Sequence, residues 1–183
     1  MLARHGGYAC NPASFARFRT KDIPGTLAEG QKTKIAEYAN SVLYNDHVVA
    51  EIFKRYSQNR SIVIYVSDHG ETLFDDKRHP DFAGHAGNTL PDNVVRIPFV
   101  VYMSDSLRKE APELWQHILK AQDQPVMTDL LPNIFTGLLG IETKYSRPEL
   151  NVFSPHYNPK RQRMVIAVDG AKRVFPALHR SAQ

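Results

Sequence analysis

The sequence has a single cysteine, no long apolar run and no dominant charge. These absences exclude several classes of protein. Cys10 stands alone among 183 residues, so no disulfide can form within the chain. No stretch approaches the roughly 18 consecutive apolar residues that a membrane-spanning helix needs, and the first residues lack the apolar core of a signal peptide. The net charge of +4 comes without the arginine–aromatic interleaving of nucleic-acid modules, so no nucleic-acid partner is expected.

The remaining composition is that of an ordinary globular protein. Apolar residues make up 42% of the chain and charged residues 23%, and 183 residues are enough for a real core. We therefore expect residues 1–183 to form one domain, or most of one. The basic cluster at 160–163 favours a solvated turn before a strand, with an anionic surface as the alternative partner.

The first half of the chain alternates helical and strand patterns. Apolar residues spaced by three and four predict a long helix from about Leu27 to Ser57. The continuous β-branched run Ser61 to Val66 is typical of a parallel strand that is covered on both faces. Residues 70–93 form a polar excursion, and a long connection of this kind is usually functional or disordered. A second strand is predicted from Val95 to Met103.

The second half is predicted to contain two helices and a hairpin. The helices span Leu107 to Ala121 and Thr128 to Leu139. Two β-rich runs, Met164 to Val168 and Arg173 to Leu178, flank an Asp-Gly pair, which is a strong hairpin signal. The element order predicts an α/β protein with a three-layer α/β/α sandwich.

The first candidate site lies where the run Ser61 to Val66 ends. Asp68 and His69 are adjacent there, and neighbouring residues of a strand point to opposite faces, so they converge only if the chain turns. Gly70 permits such a turn. A carboxylate and an imidazole held together form half of a zinc site, and ligand sites lie outside the carboxyl ends of strands in open α/β sheets. The alternative is an Asp-His pair in an ordinary turn.

The polar excursion holds further candidates. Glu71 either orients a histidine ring through a hydrogen bond or is a helix-starting carboxylate. His85, between two glycines, is interpreted as a phosphate-binding or second-metal group, with a surface histidine as the alternative. His79, Asp75 and Asp76 are predicted to be solvated, with metal binding by the two aspartates as the alternative.

Six segments, in order, resemble the catalytic domain of bacterial phosphoethanolamine transferases, which belong to the alkaline phosphatase/sulfatase superfamily. The resemblance covers nearly the whole chain and is more specific for the family than for the substrate. The segments are Arg4 to Tyr8 with Pro12 to Phe18, Tyr38 to Asp46, Ser67 to Glu71, Gly84-His85, Arg96 to Phe99, and Thr128 to Ile141.

The resemblance implies a fold, a site and an activity. The fold is an alkaline phosphatase-like α/β/α sandwich with a mostly parallel sheet. Asp68 and His69 are the implied ligands of a catalytic Zn²⁺, and His5 and His85 the groups that contact the substrate phosphate or a second zinc. The implied reaction moves phosphoethanolamine from phosphatidylethanolamine onto a lipopolysaccharide sugar or related glycan, through a phospho-threonine intermediate. The implied location is the periplasmic side of the bacterial inner membrane.

The chain departs from the family pattern at its beginning. In the family the nucleophilic threonine and an acidic zinc ligand precede the segment of His5, and Thr20, Thr26 and Thr33 lack the matching context. We therefore expect the C-terminal part of a catalytic domain without a nucleophile of its own, with the membrane spans preceding it and Cys10 as half of a divided disulfide. Metal binding should then be weak, and an exposed strand edge should promote self-association.

Two other functions remain open on the sequence. A sulfatase- or phosphatase-like hydrolase shares the Asp-His turn and differs in its nucleophile. A binding domain near the membrane that keeps the fold without catalysis would suit the basic cluster at 160–163.

Overall fold

The computed structural model describes residue 8 and residues 11–85, 90–167 and 170–175. The chain divides into two compact units, residues 1–104 and 105–183. His5, Cys10 and the Asp169 of the predicted hairpin turn lie outside the described residues. The single domain expected over residues 1–183 stays a prediction.

Helix α1 (Glu29–Tyr56) is the main helix of the first unit and confirms the predicted helix to within two residues at each end. Its first turn is closed by Gln31, whose Oε1 accepts a hydrogen bond of 3.0 Å from the Ala28 amide. Asn40, buried in its middle, accepts hydrogen bonds from the Arg17 and Phe18 amides and donates one to the Phe18 carbonyl. This one side chain fastens the preceding loop to the helix.

Strand β1 (Ile62–Val66) pairs with β4 (Phe99–Met103), in a register that places Ile62 opposite Met103 and Val66 opposite Phe99. The pair is antiparallel, which differs from the parallel neighbour that the sequence predicted. A continuous apolar run reports burial on both faces and carries no information about strand direction. Among the described residues all three strand pairs are antiparallel.

The polar excursion contains regular structure that the sequence did not predict. Strands β2 (Thr72–Leu73) and β3 (Ala83–Gly84) form a small antiparallel ladder with Thr72 opposite Gly84. Helix α2 (Asp92–Val95) begins after Pro91 and ends at Val95, the first residue of the predicted second strand, so that this strand begins only at Phe99. Two-residue strands give no detectable alternation, so only the turn-like composition was visible in the sequence.

The second unit is helical at first and ends in a hairpin. The predicted helix over 107–121 is two helices, α3 (Asp105–Glu110) and α4 (Pro112–Lys120), because Pro112 lacks an amide proton and starts a new helix. A 3₁₀ turn, Thr128–Leu130, leads into α5 (Leu131–Leu138), which stops at Gly140 with φ of 64°. Strands β5 (Arg163–Ile166) and β6 (Lys172–Phe175) confirm the predicted hairpin.

Candidate metal and phosphate site

The chain turns sharply after β1 and brings Asp68 and His69 to the same side. Asp68 Oδ1 accepts the His69 amide proton at 3.0 Å, and the Ser67 hydroxyl donates to the His69 carbonyl at 2.8 Å. Ser67 is buried, whereas the Asp68 side chain is 70% exposed. Burial acts to raise the pKa of Asp68, but the amide hydrogen bond and the charge of His69 outweigh it, so that the pKa is lowered.

The backbone of Gly70 lies directly against the backbone of α2. Its amide donates to the Val94 carbonyl at 2.7 Å, and a Cβ added to it would lie 2.0 Å from the Asn93 carbonyl oxygen. Gly70 does not have a positive φ. The turn therefore needs glycine because no side chain fits, and not because of the conformational freedom that the sequence suggested.

The ring of His69 is oriented by its own neighbour. Nδ1 lies 2.8 Å from the Gly70 carbonyl oxygen, and a carbonyl can only accept, so in the neutral ring Nδ1 carries the proton. The unprotonated Nε2 then faces Asp68, whose Oδ2 is 3.6 Å away. A lone pair and a carboxylate oxygen at this separation are suited to a shared cation.

Glu71 and His85 form the second half of the site. His85 Nδ1 lies 3.2 and 3.3 Å from the two Glu71 carboxylate oxygens, and the Glu71 side chain is only 4% exposed. The His85 ring stacks on the His69 ring with 3.7 Å between centroids. Ligand atoms of His69, Glu71 and His85 all lie within 4.8 Å of one another, a group able to hold a metal.

Two tyrosines face the buried carboxylate. Burial, the charge of Glu71 and a hydrogen bond with Glu71 raise the pKa of Tyr8 above its usual value. Burial and the same charge raise the pKa of Tyr38, and the two rings meet edge to face at 5.2 Å. Sequence reasoning did not place these tyrosines in the site, although both stand in segments that carried the resemblance.

A cavity of about 250 Å³ opens beside His69 and Glu71. Tyr38, Asn45 and Tyr65 line it, and Asn45 donates to the Tyr65 hydroxyl at 2.8 Å. Aromatic rings with a few convergent polar groups are characteristic of small-molecule sites.

The loop between β2 and β3 is built around Asp76. Its side chain is 7% exposed and contacts His79 Nδ1 at 3.0 Å and Arg78 Nε at 3.2 Å. Hydrogen bonds from the His79 side chain and the Arg78 amide lower the pKa of Asp76 to about 2. The sequence predicted Asp76 as solvated, which is wrong, because the loop folds back over it and Phe74 bonds Phe82 through the backbone at 2.9 Å.

The structure therefore brings together His69, Glu71 and His85, places Asp68 at their exposed rim, and says nothing of His5, which lies outside the described residues. The roles assigned to them remain predictions. None of the helices in the part of the chain that the structure describes has the length and hydrophobicity that a bilayer-spanning helix requires.

Comparison with known sequences gives a family and several relatives. The sequence model of the sulfatase family matches residues 2–141. The chain is 32% identical over 94 residues to Kdo(2)-lipid A phosphoethanolamine 7''-transferase of Salmonella typhimurium, covering 51% of this chain and 16% of the relative. It is 24% identical over 160 residues to phosphoethanolamine transferase EptC of Escherichia coli K12, covering 82% and 27%. The chain thus spans about a quarter or less of these relatives.

Comparison with solved structures shows the same fold. The crystal structure of the C-terminal periplasmic domain of EptC from Escherichia coli matches with a TM-score of 0.75 at 24% identity, over 90% of this chain and 49% of that one. A complex of that domain with Zn matches with a TM-score of 0.73, at the same identity and coverage. The predicted alkaline phosphatase-like α/β fold class is confirmed by this likeness.

Proposed function

The chain belongs to the sulfatase family, and we propose that it carries the zinc turn and phosphate-binding groups of a phosphoethanolamine transferase. In the proposed reaction a threonine hydroxyl from outside these 183 residues attacks the phosphorus of phosphatidylethanolamine, and the bond to the diacylglycerol oxygen breaks. A hydroxyl of a lipopolysaccharide sugar or related glycan then attacks the phosphorus of the phospho-threonine intermediate, the bond to the threonine oxygen breaks, and the threonine hydroxyl is regenerated with the proton of the acceptor. Relatives named as lipid A and EptC transferases support this substrate class.

The observation that carries the proposal is the pairing of Asp68 with the unprotonated Nε2 of His69. Their separation of 3.6 Å is near the roughly 3.3 Å between two ligands that bind one tetrahedral zinc at about 2.0–2.1 Å. The hydrogen bond from Nδ1 to the Gly70 carbonyl fixes the ring, as a ligand histidine requires. The donor set fits Zn²⁺, and the Zn complex of the EptC domain makes zinc the natural choice.

The pair Glu71 and His85 is proposed to serve the phosphate. Glu71 accepts the Nδ1 proton of His85 and so holds the imidazole beside the Asp68–His69 turn. The His85 and His69 rings stack with 3.7 Å between their centroids, which supports a role for His85 beside the Asp68–His69 turn. Glu71 is therefore a positioning residue in this proposal, in line with its burial.

These contacts suggest a separate role for each group of the proposed site. A zinc ion, when bound, supplies positive charge that lowers the pKa of a hydroxyl nucleophile and neutralises phosphoryl oxygens. His85 donates or accepts a proton at Nε2 beside the phosphate, and Glu71 keeps its ring from turning. Tyr8 and Tyr38, whose pKa values are raised, stay protonated and surround the carboxylate.

Thr72, which adjoins the site in the part of the chain that the structure describes, is poorly placed for nucleophilic attack. Thr72 follows Glu71, but it is fully buried and its hydroxyl lies 3.3 Å from the Asn93 side chain. We therefore expect no transfer from the 183-residue chain alone on a fluorescent phosphatidylethanolamine donor. Measurable transfer by this chain would refute the proposal that the nucleophilic threonine lies outside these residues.

The proposed setting is the periplasmic side of the bacterial inner membrane. The matching solved domain is named as the C-terminal periplasmic domain of EptC. Membrane attachment would come from a part of the protein outside these residues.

The proposal is tested by zinc stoichiometry. The purified chain and its Asp68→Asn, Glu71→Gln and Asp105→Asn variants are dialysed against zinc and measured by mass spectrometry of the metal. Asp105 is an exposed control in the second unit. We expect Asp68→Asn to lower zinc affinity at least tenfold, because a ligand charge is lost, and Glu71→Gln and Asp105→Asn to leave it within about threefold.

Two outcomes would count against the assignment. If the wild type and Asp68→Asn bind equal amounts of zinc, Asp68 is not a zinc ligand and the proposed zinc turn is wrong. If only Glu71→Gln loses zinc, the ion is bound by the group of His69, Glu71 and His85 instead.

Self-association of the isolated chain is also proposed. Leu139 and Tyr145 in the second unit are each more than 70% exposed, Phe135 and Ile141 near them in sequence are about half exposed, and exposed apolar patches mark interaction surfaces. Sedimentation velocity at tens of micromolar should show dimers or larger species, and fewer of them for Leu139→Ser. A stable monomer would contradict this expectation.

A further inference from the structure

A second cavity lies entirely within residues 117–159 of the second unit and shares no residue with the metal and phosphate site. Its volume is about 330 Å³. Ligand pockets generally range from about 300 to 1,000 Å³, so the cavity fits one small ring and not an extended chain. It is bounded by the last turns of α4 and by the segment that follows Asn151.

The inner wall of this cavity is apolar and held in place. Ala121, Val152 and Phe153 are buried there. Tyr157 adds an aromatic wall, and its hydroxyl donates to the Pro125 carbonyl oxygen, which fixes the ring. Burial raises the pKa of Tyr157, which therefore remains a neutral phenol. A preformed apolar wall binds a ligand at lower entropic cost than a mobile one.

The rim of the cavity is polar and carries positive charge. His117 and Lys120 stand three residues apart on α4 and therefore lie on one face of the helix. Gln124 and Ser154 contribute an amide and a hydroxyl. None of the lining residues that the structure describes is a carboxylate, which favours an anion over a cation as the ligand.

We propose that this cavity binds a phosphorylated monosaccharide. Lys120 and His117 provide charge-assisted hydrogen bonds for the phosphate. The apolar C–H face of the sugar packs on Phe153 and Tyr157, and Gln124 and Ser154 match its hydroxyl groups. This inference does not rest on the zinc assignment, because the two sites have no residue in common.

The experiment is a titration of the isotope-labelled full chain with glucose 1-phosphate, glucose or inorganic phosphate, followed by amide NMR. Zinc is removed with a chelator, so a failure here is separate from a failure of the metal site. The variants are Lys120→Gln, Gln124→Ala and the control Lys109→Gln, an exposed lysine of α3 outside the cavity. Lys120 and Gln124 are exposed, so these substitutions leave the fold intact.

Glucose 1-phosphate should bind saturably and shift amides of 117–124 and 152–157. We expect glucose and inorganic phosphate to bind at least tenfold more weakly, Lys120→Gln to lower affinity about tenfold, Gln124→Ala to lower it severalfold, and Lys109→Gln to leave it unchanged. The proposal is overturned if no saturable shift occurs, if Lys120→Gln binds as the wild type does, or if inorganic phosphate binds as tightly as the sugar phosphate.

Discussion

Glu71 and His85 are fourteen residues apart in sequence and 3.2 Å apart in space. The β2–β3 ladder joins them, because Thr72 pairs with Gly84 and their flanking residues consequently meet. The carboxylate is almost fully buried, so its contact with the imidazole is shielded from solvent.

Replacing Glu71 with alanine should therefore destabilise the first unit. Glu71→Ala removes the acceptor of a hydrogen bond that involves a charged group, and such bonds contribute about 2 kcal/mol. Urea unfolding of the purified variant should show a free energy of unfolding lower by about this amount. Glu71→Gln keeps an oxygen acceptor at the same position and should recover more than half of the loss. Equal losses in both variants would show that the carboxylate charge, and not the hydrogen bond, is what matters.

Adding a methyl group at Gly70 should disrupt the turn that carries Asp68 and His69. The new Cβ would lie 2.0 Å from the Asn93 carbonyl oxygen, and this is backbone that cannot rotate away. We expect Gly70→Ala to cost about 2–3 kcal/mol of unfolding free energy, as overpacking does, and to weaken zinc binding. Thermal unfolding and zinc titration measure the two effects.

Gly30 provides the matched control for Gly70. It lies in α1, and nothing stands within 4 Å of a Cβ added there. Gly30→Ala should be neutral or stabilising by up to about 1 kcal/mol, because alanine favours helix. A loss at Gly30 equal to that at Gly70 would refute the steric argument.

The hydrogen bonds that Asn40 accepts should protect two backbone amides from hydrogen exchange. Arg17 and Phe18 donate their amides to Asn40 Oδ1 at 2.9 and 2.8 Å. Asn40→Ala should abolish hydrogen-exchange protection of both amides and lower the free energy of unfolding by about 2 kcal/mol, roughly 1 kcal/mol for each bond. Asn40→Asp retains the acceptor and should keep the protection, although its second oxygen would face the Phe18 carbonyl oxygen and repel it, so that part of the stability is still lost. Unchanged exchange in Asn40→Ala would contradict this role.

The Asp76 loop should lose stability in acid. The pKa of Asp76 is about 2 in the folded protein against 3.8 for the free side chain, so its contribution is complete above about pH 4 and disappears as the pH falls to 2. The difference in unfolding free energy between wild type and Asp76→Asn should therefore shrink over this range. Lys77→Gln, an exposed neighbour without a carboxylate, should track the wild type. A difference that is constant from pH 5 to 2 would exclude this linkage.

Elements with a strong local pattern were predictable from the sequence. Helix α1 and the β5–β6 hairpin follow from periodicity and from the Asp-Gly pair, and Pro112 carried a readable signal for the division between α3 and α4. The direction of β1 against β4 was not readable, because pairing direction depends on contacts far apart in sequence.

The candidate site was predictable residue by residue but not as an arrangement. The Asp68–His69 turn follows from a strand end, which sequence patterns reveal. The burial of Glu71 and its contact with His85 depend on how the loop of 74–82 returns to β3, and the position of Tyr38 depends on how α1 packs. Such tertiary contacts leave no periodicity in the chain.

The short ladder of β2 and β3 has a consequence for recognising related proteins. The segment 74–82 leaves and re-enters at one point, closed by a backbone bond between Phe74 and Phe82. Insertions or deletions in such an excursion could accumulate without displacing His85 from Glu71. A search pattern that fixes the number of residues between Glu71 and His85 would overlook some homologues. In these the imidazole occupies the same place, but the connecting segment is longer or shorter.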